Sequence, residues 1–193
     1  INKIINKTKI NFKFIDLGGG MGISYSKKEK QINLRQYAKL VNKFTKNKDS
    51  KIIFEPGRFI IGNAGILITK IIYIKKSSNK YFVILDAGMN NLMRPALYDA
   101  HHQIIPVKKT NKLFRGKLEF VGPVCESSDK FSTQKIFSQI KEGDYLGLAD
   151  VGAYGMSLSS NYNTRPTIAE IMVSGSKHKI IRKRQSLENL VNN

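Results

Sequence analysis

The sequence predicts an α/β segment followed by an antiparallel β domain, with residues 1–65 in the first and 66–193 in the second. Two observations predict this. Between Phe12 and Arg58 the chain reads strand, glycine loop, helix, strand, charged loop, which is the rhythm of a parallel sheet or barrel. Beyond Ile66, β-branched runs succeed one another with turn residues between them, and apolar residues at helical spacing almost vanish. At 193 residues the chain is long enough for one large domain or two small ones with a real core.

In the first segment, Phe12 to Leu17 is a short apolar strand that leads into Gly18-Gly19-Gly20-Met21-Gly22. Glycines directly after a strand let backbone N–H groups approach an anion, because no Cβ intervenes. The spacing is neither that of a dinucleotide fingerprint nor that of a P-loop, so the anion it suits is a phosphate monoester; a plain tight turn is the alternative. Asn33 to Thr45 sets Leu34, Tyr37, Ala38, Val41 and Phe44 at helical spacing, with Asn33 as the cap. Lys51 to Phe54 is a second strand. It delivers Glu55-Pro56-Gly57-Arg58 at its C-terminal end, where parallel β/α folds carry their sites.

In the second segment the expected strands are Ile66 to Lys75 and Lys80 to Leu85, joined by Ser77-Ser78-Asn79, then Gln103 to Val107, Gly116 to Val121, Tyr145 to Ala149, Thr167 to Val173 and His178 to Lys183. Ser186 to Val191 reads as a short closing helix capped by Ser186. Three loops carry chemistry. The stretch Asp86 to Asp99 presents Arg94 and Tyr98, a pair able to grip a carboxylate; an ordinary surface ion pair of Arg94 with Asp86 or Asp99 is the alternative. Gly122 to Asp129 holds the single cysteine, Cys125, with Glu126 next to it, and the Gly-Pro at its start places both on a loop. A thiol with an ordinary pKa of about 8.5 can give up a proton and a neighbouring carboxylate can hold an amine, whereas an isolated cysteine is commonly just a small buried hydrophobe. Tyr154, flanked by glycines in Gly152-Ala153-Tyr154-Gly155, suits the placing of one ring or hydroxyl against a ligand, or a turn with a packed tyrosine. His101 and His102 have no metal-ligand spacing with another His or Cys, so no metal is expected.

The formal charge of +19 raises nucleic-acid binding. The lysines are scattered, however (Lys27, Lys28, Lys30, Lys75, Lys76, Lys108, Lys109), and only Lys177 to Arg184 is dense. No zinc-finger, helix-turn-helix or aromatic RNA-binding pattern accompanies them. General richness in Lys, Ile and Asn accounts for the charge, and no nucleic-acid partner is expected. One cysteine excludes an internal disulfide framework and suits a reducing, cytoplasmic compartment. No apolar run approaches the roughly 20 residues of a membrane span. The start, INKIINKTKINFKF, has no secretory pattern, lacks an initiator Met and runs almost directly into a strand, as if the chain began inside something larger.

Taken together and in order, DLGGGMGI, FEPGRFIIGNAG, DAGMNNLMRPALYDAHH, GPVCESSD and DVGAYGMSLSSNYNTRP closely resemble the diaminopimelate decarboxylase family, within the alanine-racemase-like (fold-type III) pyridoxal-phosphate proteins. The resemblance runs from about Phe12 to Val173. The glycine loop and EPGR are shared with ornithine and arginine decarboxylases, while RPALYDA and CESSD are more specific. The resemblance implies the last strands and helices of a (β/α)8 barrel followed by a Greek-key-like β domain. It implies pyridoxal 5'-phosphate as cofactor, its phosphate held by Gly18, Gly19, Gly20 and the loop Glu55, Pro56, Gly57, Arg58, with Glu55 on the pyridine nitrogen. Arg58, Arg94 and Tyr98 would bind the far carboxylate of the substrate, and Tyr154 would reach cofactor and substrate. Cys125 would return a proton to the carbon that loses CO2, and Glu126 would hold the distal ammonium. In the family, this Cys-Glu pair serves the partner subunit's site in a head-to-tail homodimer.

The implied reaction converts meso-2,6-diaminopimelate to L-lysine and CO2. The alternatives are a decarboxylase of another basic amino acid or carboxylated polyamine, or a non-catalytic β-domain binding module. Asn91 stands where the family usually has Asp, and His101 where it usually has Tyr. The family's cofactor-bearing lysine and a barrel histidine find no match here, since none of the lysines lies in such a motif. An eight-stranded barrel takes about 200 residues or more. The chain alone is therefore expected to be inactive.

Overall fold

In the computed structural model, residues 2–8, 10–25, 29–46 and 48–192 are described; Lys27 and Lys28, named above, lie outside them. The chain forms two units, Ile1–Gly62 and Asn63–Asn193.

The first unit runs α1 (Asn2–Thr8), β1 (Phe14–Asp16), α2 (Leu34–Thr45), β2 (Lys51–Ile53) and α3 (Gly57–Ile61). β1 and β2 pair in parallel with Ile15 opposite Ile52, as the β/α rhythm requires. The Asn33 side chain accepts from the Gln36 N–H at 3.1 Å and so starts α2 at the expected residue. Tyr37 of α2 meets the Phe54 ring with centroids 6.1 Å apart. The helix α1 was not anticipated, because the N-terminal residues read as the approach to a strand. Among the described residues of this unit, Ile15 is the buried apolar side chain, while Phe12, Phe14, Ile53 and Phe54 are exposed.

The second unit contains β3 (Ile66–Lys76), β4 (Tyr81–Leu85), α4 (Arg94–Tyr98), β5 (Ile104–Pro106), β6 (Leu113–Val121), β7 (Lys130–Ser138), β8 (Tyr145–Ala149), β9 (Glu170–Ser174), β10 (Lys177–Arg182) and α5 (Leu187–Val191). Six strands form one sheet in the order β5-β8-β3-β4-β6-β7, and β9 and β10 form a separate hairpin. The long strand β3 is shared: Ile66 to Lys70 pair with β8, and Ile71 to Lys76 pair with β4. A corner lock marks the change of partner. Asp86 Oδ1 accepts from Thr69 Oγ1 at 2.6 Å and from the Lys70 N–H at 2.9 Å, while Thr69 Oγ1 accepts from the Ala87 N–H at 3.1 Å.

Two features correct the sequence expectation. The sheet is not wholly antiparallel, because β4 and β6 run parallel. The chain leaves β4 not by a hairpin but by the long connection through α4 and β5, and so returns in the same direction. The strand β7 was also missed: polar residues dominate Ser132 to Lys135, and only its ends, Phe131 and Phe137, face the core. The final strands start and stop within a few residues of expectation, and Ser186 caps α5 by accepting from the Asn189 N–H.

Strand alternation builds the core. β3 buries Leu67, Thr69 and Ile71 and exposes the residues between them. These pack with Val83, Leu85, Phe120, Phe137, Leu146 and Leu148, and the Phe120 and Phe137 rings meet edge-on at 5.0 Å. Glu119 carries the strongest charge cluster described: Lys80, Lys117 and Lys130 lie 2.8, 3.3 and 3.8 Å from its carboxylate. The hydrogen bond from Lys80 is the chief cause that holds this carboxyl below the usual glutamate range, and burial opposes it.

Glu119→Gln is expected to cost about 1 kcal/mol at neutral pH, since the lysine partners are partly solvated. A lowered acid pKa gives stability that is present above the unfolded value and lost as pH falls through the folded one. The gap between wild type and variant in urea midpoints should therefore close below about pH 4.

Candidate functional site

In the first unit both candidate loops follow the C-terminal ends of the paired strands. Asp16 Oδ1 accepts from the Gly18 N–H at 2.7 Å, which starts the turn. Gly18 and Gly20 take φ of 68° and 77°, the left-handed region that glycine enters at no steric cost. The Glu55 N–H donates to Gly18 O at 2.9 Å, and a Cβ on Gly19 would stand 2.4 Å from Glu55 O. The two loops thus touch backbone to backbone, and only glycine permits it. A Cβ on Gly18 or Gly20 would meet open space, so the run offers bare peptide groups on an accessible rim. Such a rim fits a phosphate group by the chemistry of its donors.

Pro56 precedes α3, and the Gly57 N–H returns to Glu55 O at 2.9 Å, so EPGR is a tight turn into one helical turn. Arg58 stands on that turn with its guanidinium 6.0 Å from the centre of the Tyr25 ring.

In the second unit the Cys125-Glu126 loop is organised by Asp129. The loop closes on itself, since the Gly122 N–H donates to Asp129 O at 3.0 Å and the Asp129 N–H to Glu126 O at 3.0 Å. The Asp129 carboxylate, 3% exposed, accepts from the Val124 N–H at 2.8 Å and from the Met89 N–H at 2.7 Å. It therefore ties the 122–129 loop to the 86–93 loop. A Cβ on Gly122 would lie 2.2 Å from that carboxylate, and one on Gly88 3.2 Å. Burial raises the Asp129 carboxyl above the usual aspartate range, and the two backbone donors work against that rise. Cys125 and Glu126 themselves are exposed, which removes the buried-hydrophobe alternative for the thiol. Tyr162 Oη donates to Glu126 Oε2 at 3.3 Å.

Arg94 and Tyr98 occupy the two ends of α4, and Pro95 in its first turn suits the missing N–H. Tyr98 is exposed, but Arg94 is buried and is not an ordinary surface cation. Its guanidinium lies 3.5 Å from His102 Nε2, while His102 Nδ1 is 2.9 Å from Ala149 O. The carbonyl accepts from Nδ1–H, which leaves Nε2 as an acceptor facing Arg94. Burial, with the Arg94 charge adding to it, lowers the pKa of His102.

Tyr154 is half exposed at φ 61°, in a segment where Asp150 also has positive φ. Its neighbours leave no slack: a Cβ on Gly65 would be 2.4 Å from Gly152 N, and one on Gly155 2.4 Å from Val151 O. A tyrosine held in the left-handed region is uncommon and marks a locally over-determined position.

The sequence reading missed Asp129, His102 and Tyr162. The first lay inside a quoted motif, but no local pattern says that its carboxylate folds inward. The spacing of His102 speaks only to metal binding and gives no sign of a contact with Arg94. Among the described residues no group of three or more His, Cys, Asp or Glu could hold a metal ion, and no helix is long and apolar enough to cross a membrane.

Two outcomes test these supports. Asp129→Ala leaves one buried and one partly buried N–H group unpaired and should cost about 2 kcal/mol in chemical denaturation. For His102 the lowered pKa means that its contribution is full above about pH 6.5 and is lost as pH falls. The wild type should lose stability as pH falls below about 6.5, and His102→Gln should flatten that part of the profile.

Comparison with known proteins places these loops in context. Residues 14–152 match the family model described as pyridoxal-dependent decarboxylase, C-terminal sheet domain. The chain is 42% identical over 181 residues to a diaminopimelate decarboxylase of Aquifex aeolicus, covering 94% of this chain and 43% of that one. It is 45% identical over 177 residues to that of Zymomonas mobilis, covering 91% and 42%. The chain thus spans less than half the length of the curated relatives it matches. Among solved structures, the diaminopimelate decarboxylase from Helicobacter pylori complexed with L-lysine superimposes with a TM-score of 0.88 at 41% identity, covering 99% of this chain and 47% of that one. The lysine/ornithine decarboxylase from Vibrio vulnificus, at 19% identity and a TM-score of 0.71 over 84% of this chain and 44% of that one, shares the fold.

Proposed function

Because this chain belongs to the pyridoxal-dependent decarboxylase family, in its C-terminal sheet domain, we propose that it forms the C-terminal part of a diaminopimelate decarboxylase, which removes CO2 from meso-2,6-diaminopimelate and leaves L-lysine. The observation that carries this reading is the backbone contact of the Gly18–Gly20 turn with Glu55, which sets a side-chain-free anion rim beside a carboxylate and an arginine loop. Identities of 42–45% to diaminopimelate decarboxylases over more than nine-tenths of the chain support the choice of substrate.

Pyridoxal phosphate, when bound, supplies an electron-accepting ring for the pair left behind by the departing carboxylate. The chain's own groups do the rest. Gly18, Gly19 and Gly20, with the Glu55–Arg58 turn that Pro56 fixes, hold the phosphate through backbone N–H groups, those of Gly57 and Arg58 among them. Glu55 keeps a proton at the ring nitrogen. Arg58, Arg94 and Tyr98 bind the carboxylate at the substrate end that does not react, Arg94 being oriented by His102. Tyr154 contacts both cofactor and substrate. The exposed thiol of Cys125 gives its proton to the carbon that has lost CO2, and Glu126 binds the ammonium at the far end. In a homodimer the Cys125-Glu126 loop completes the neighbour's site. The lone free cysteine fits a cytoplasmic setting.

The first unit exposes Phe12, Phe14, Ile53 and Phe54 around a two-stranded parallel sheet, and parallel strands are ordinarily covered on both faces. That is the state expected of strands that belong to a (β/α)8 barrel.

The test joins this chain to the N-terminal part of the Aquifex aeolicus relative and assays CO2 release. Diaminopimelate should be turned over in preference to ornithine and arginine; preference for either of these would assign the chain to a different decarboxylase. In that protein Cys125→Ala should lower kcat by about 10²-fold or more with KM little changed. Gly19→Ala should weaken cofactor binding by at least about tenfold, because its clash is with backbone. The 193 residues by themselves should show no borohydride-fixable cofactor adduct on a unique lysine.

A further inference from the structure

Tyr162 touches Glu126, and the backbone around it is held unusually hard. Before it, the Ser160 N–H donates to Asn90 O at 2.9 Å, and Asn161 Nδ2 donates to Arg165 O at 2.8 Å and to Gln185 Oε1 at 2.6 Å. After it, Asn163 and Thr164 both take positive φ, 60° and 54°. A β-branched residue in the left-handed region is an outlier that persists only when its surroundings impose it. Arg165 then anchors the exit by donating from Nη2 to Asp86 O at 2.7 Å. The chain therefore accepts strain on one side of Tyr162 and uses fixed hydrogen bonds on both. An exposed tyrosine with no task would need neither.

The phenol meets one oxygen of Glu126, Oε2, at 3.3 Å. Glu126 is carried on a loop whose own anchor, Asp129, holds the backbone and not the side chain. Nothing in the loop itself sets the rotamer of an exposed glutamate. A donor on one carboxylate oxygen does so, and it leaves the other oxygen as the acceptor for an incoming cation.

We propose that Tyr162 is a positioning and specificity-determining residue that orients the Glu126 carboxylate toward the far-end ammonium of the substrate. This rests on the role given to Glu126 above. Both residues are on the same chain, so Tyr162 moves with Glu126 to whichever subunit's site that loop completes. The pair discriminates between amino acids that carry an ammonium at the far end and those that end in a carboxylate alone.

The experiment uses the assembled decarboxylase containing this chain, with diaminopimelate as substrate and 2-aminopimelate, which lacks the far ammonium, as competitive inhibitor. Tyr162→Phe should raise KM for diaminopimelate about five- to twentyfold with kcat within about twofold, and leave the Ki of 2-aminopimelate unchanged. In combination with Glu126→Gln, the Tyr162→Phe effect on KM should vanish, since no carboxylate remains to orient. An unchanged KM, or an equal weakening of both ligands, would overturn the proposal; the second pattern is that of a merely structural tyrosine. A wild-type protein that ignores diaminopimelate would instead overturn the function proposed above, and the two failures are separable.

Discussion

The buried Asp129 carboxylate accepts hydrogen bonds from the N–H groups of Val124 and Met89, the first of them buried and the second partly so. Two loops that are far apart in sequence are thereby made into one surface. Glycine is required around this joint for lack of space: at Gly122 a Cβ would overlap the carboxylate, and at Gly88 it would press on it. Burial disfavours the charged form, and the two donors favour it. The balance explains why an exposed thiol and an exposed glutamate can be presented by a loop without losing their register. The groups that would meet ligand are open to solvent, and the group that fixes them is not.

At Arg94 the proposed ligand-binding group is itself buried. The guanidinium lies beside a histidine whose other nitrogen is committed to a backbone carbonyl, so the tautomer and the acceptor direction follow from one hydrogen bond. Tyr98, one helical turn away, stays exposed. At Tyr154 the support is steric instead, with Gly65 and Gly155 permitting backbone approaches that any side chain would prevent.

Local signals were legible where one rule decides the outcome. Asn33 and Ser186 cap the helices they were expected to cap, because a side-chain acceptor at that position answers an orphan N–H whatever the tertiary context. The strands β3, β4 and β8 stand within a residue of expectation; in the β-branched runs of β3 and β4 alternation buries Leu67, Ile71, Val83 and Leu85, and in β8 the apolar Leu146 and Leu148 are buried. The strand β7 was not legible: its outward face is polar, and the reason it is a strand is the cross-strand partner that β6 provides. The parallel pairing of β4 with β6 was equally hidden, because direction depends on where a long connection returns and not on any residue in either strand. Of the site, the exposed residues were readable as motifs. Their anchors were not, since an inward-turned Asp129 or His102 has the same local sequence as an outward-turned one.

Strain separates the remaining case. Among the described non-glycine residues with positive φ, Asp150 and Tyr154 fall in one glycine-rich turn and Asn163 and Thr164 just after Tyr162. Asn and Asp tolerate the left-handed region through local hydrogen bonding, but Tyr and Thr do not. Each costs on the order of 1–3 kcal/mol that packing elsewhere must offset. The sheet core built on Phe120, Ile71, Leu85, Leu146 and Leu148 is the part of the second unit able to supply it, because every one of those side chains is fully buried. Asn163 and Thr164 follow the tyrosine that donates to Glu126, and Tyr154 is itself the strained residue of the earlier turn, so the cost falls on the loops proposed above to meet ligand. Glycine fills the left-handed positions at Gly143 and Gly175, so at Thr164 a β-branched side chain bears a cost that glycine would have avoided.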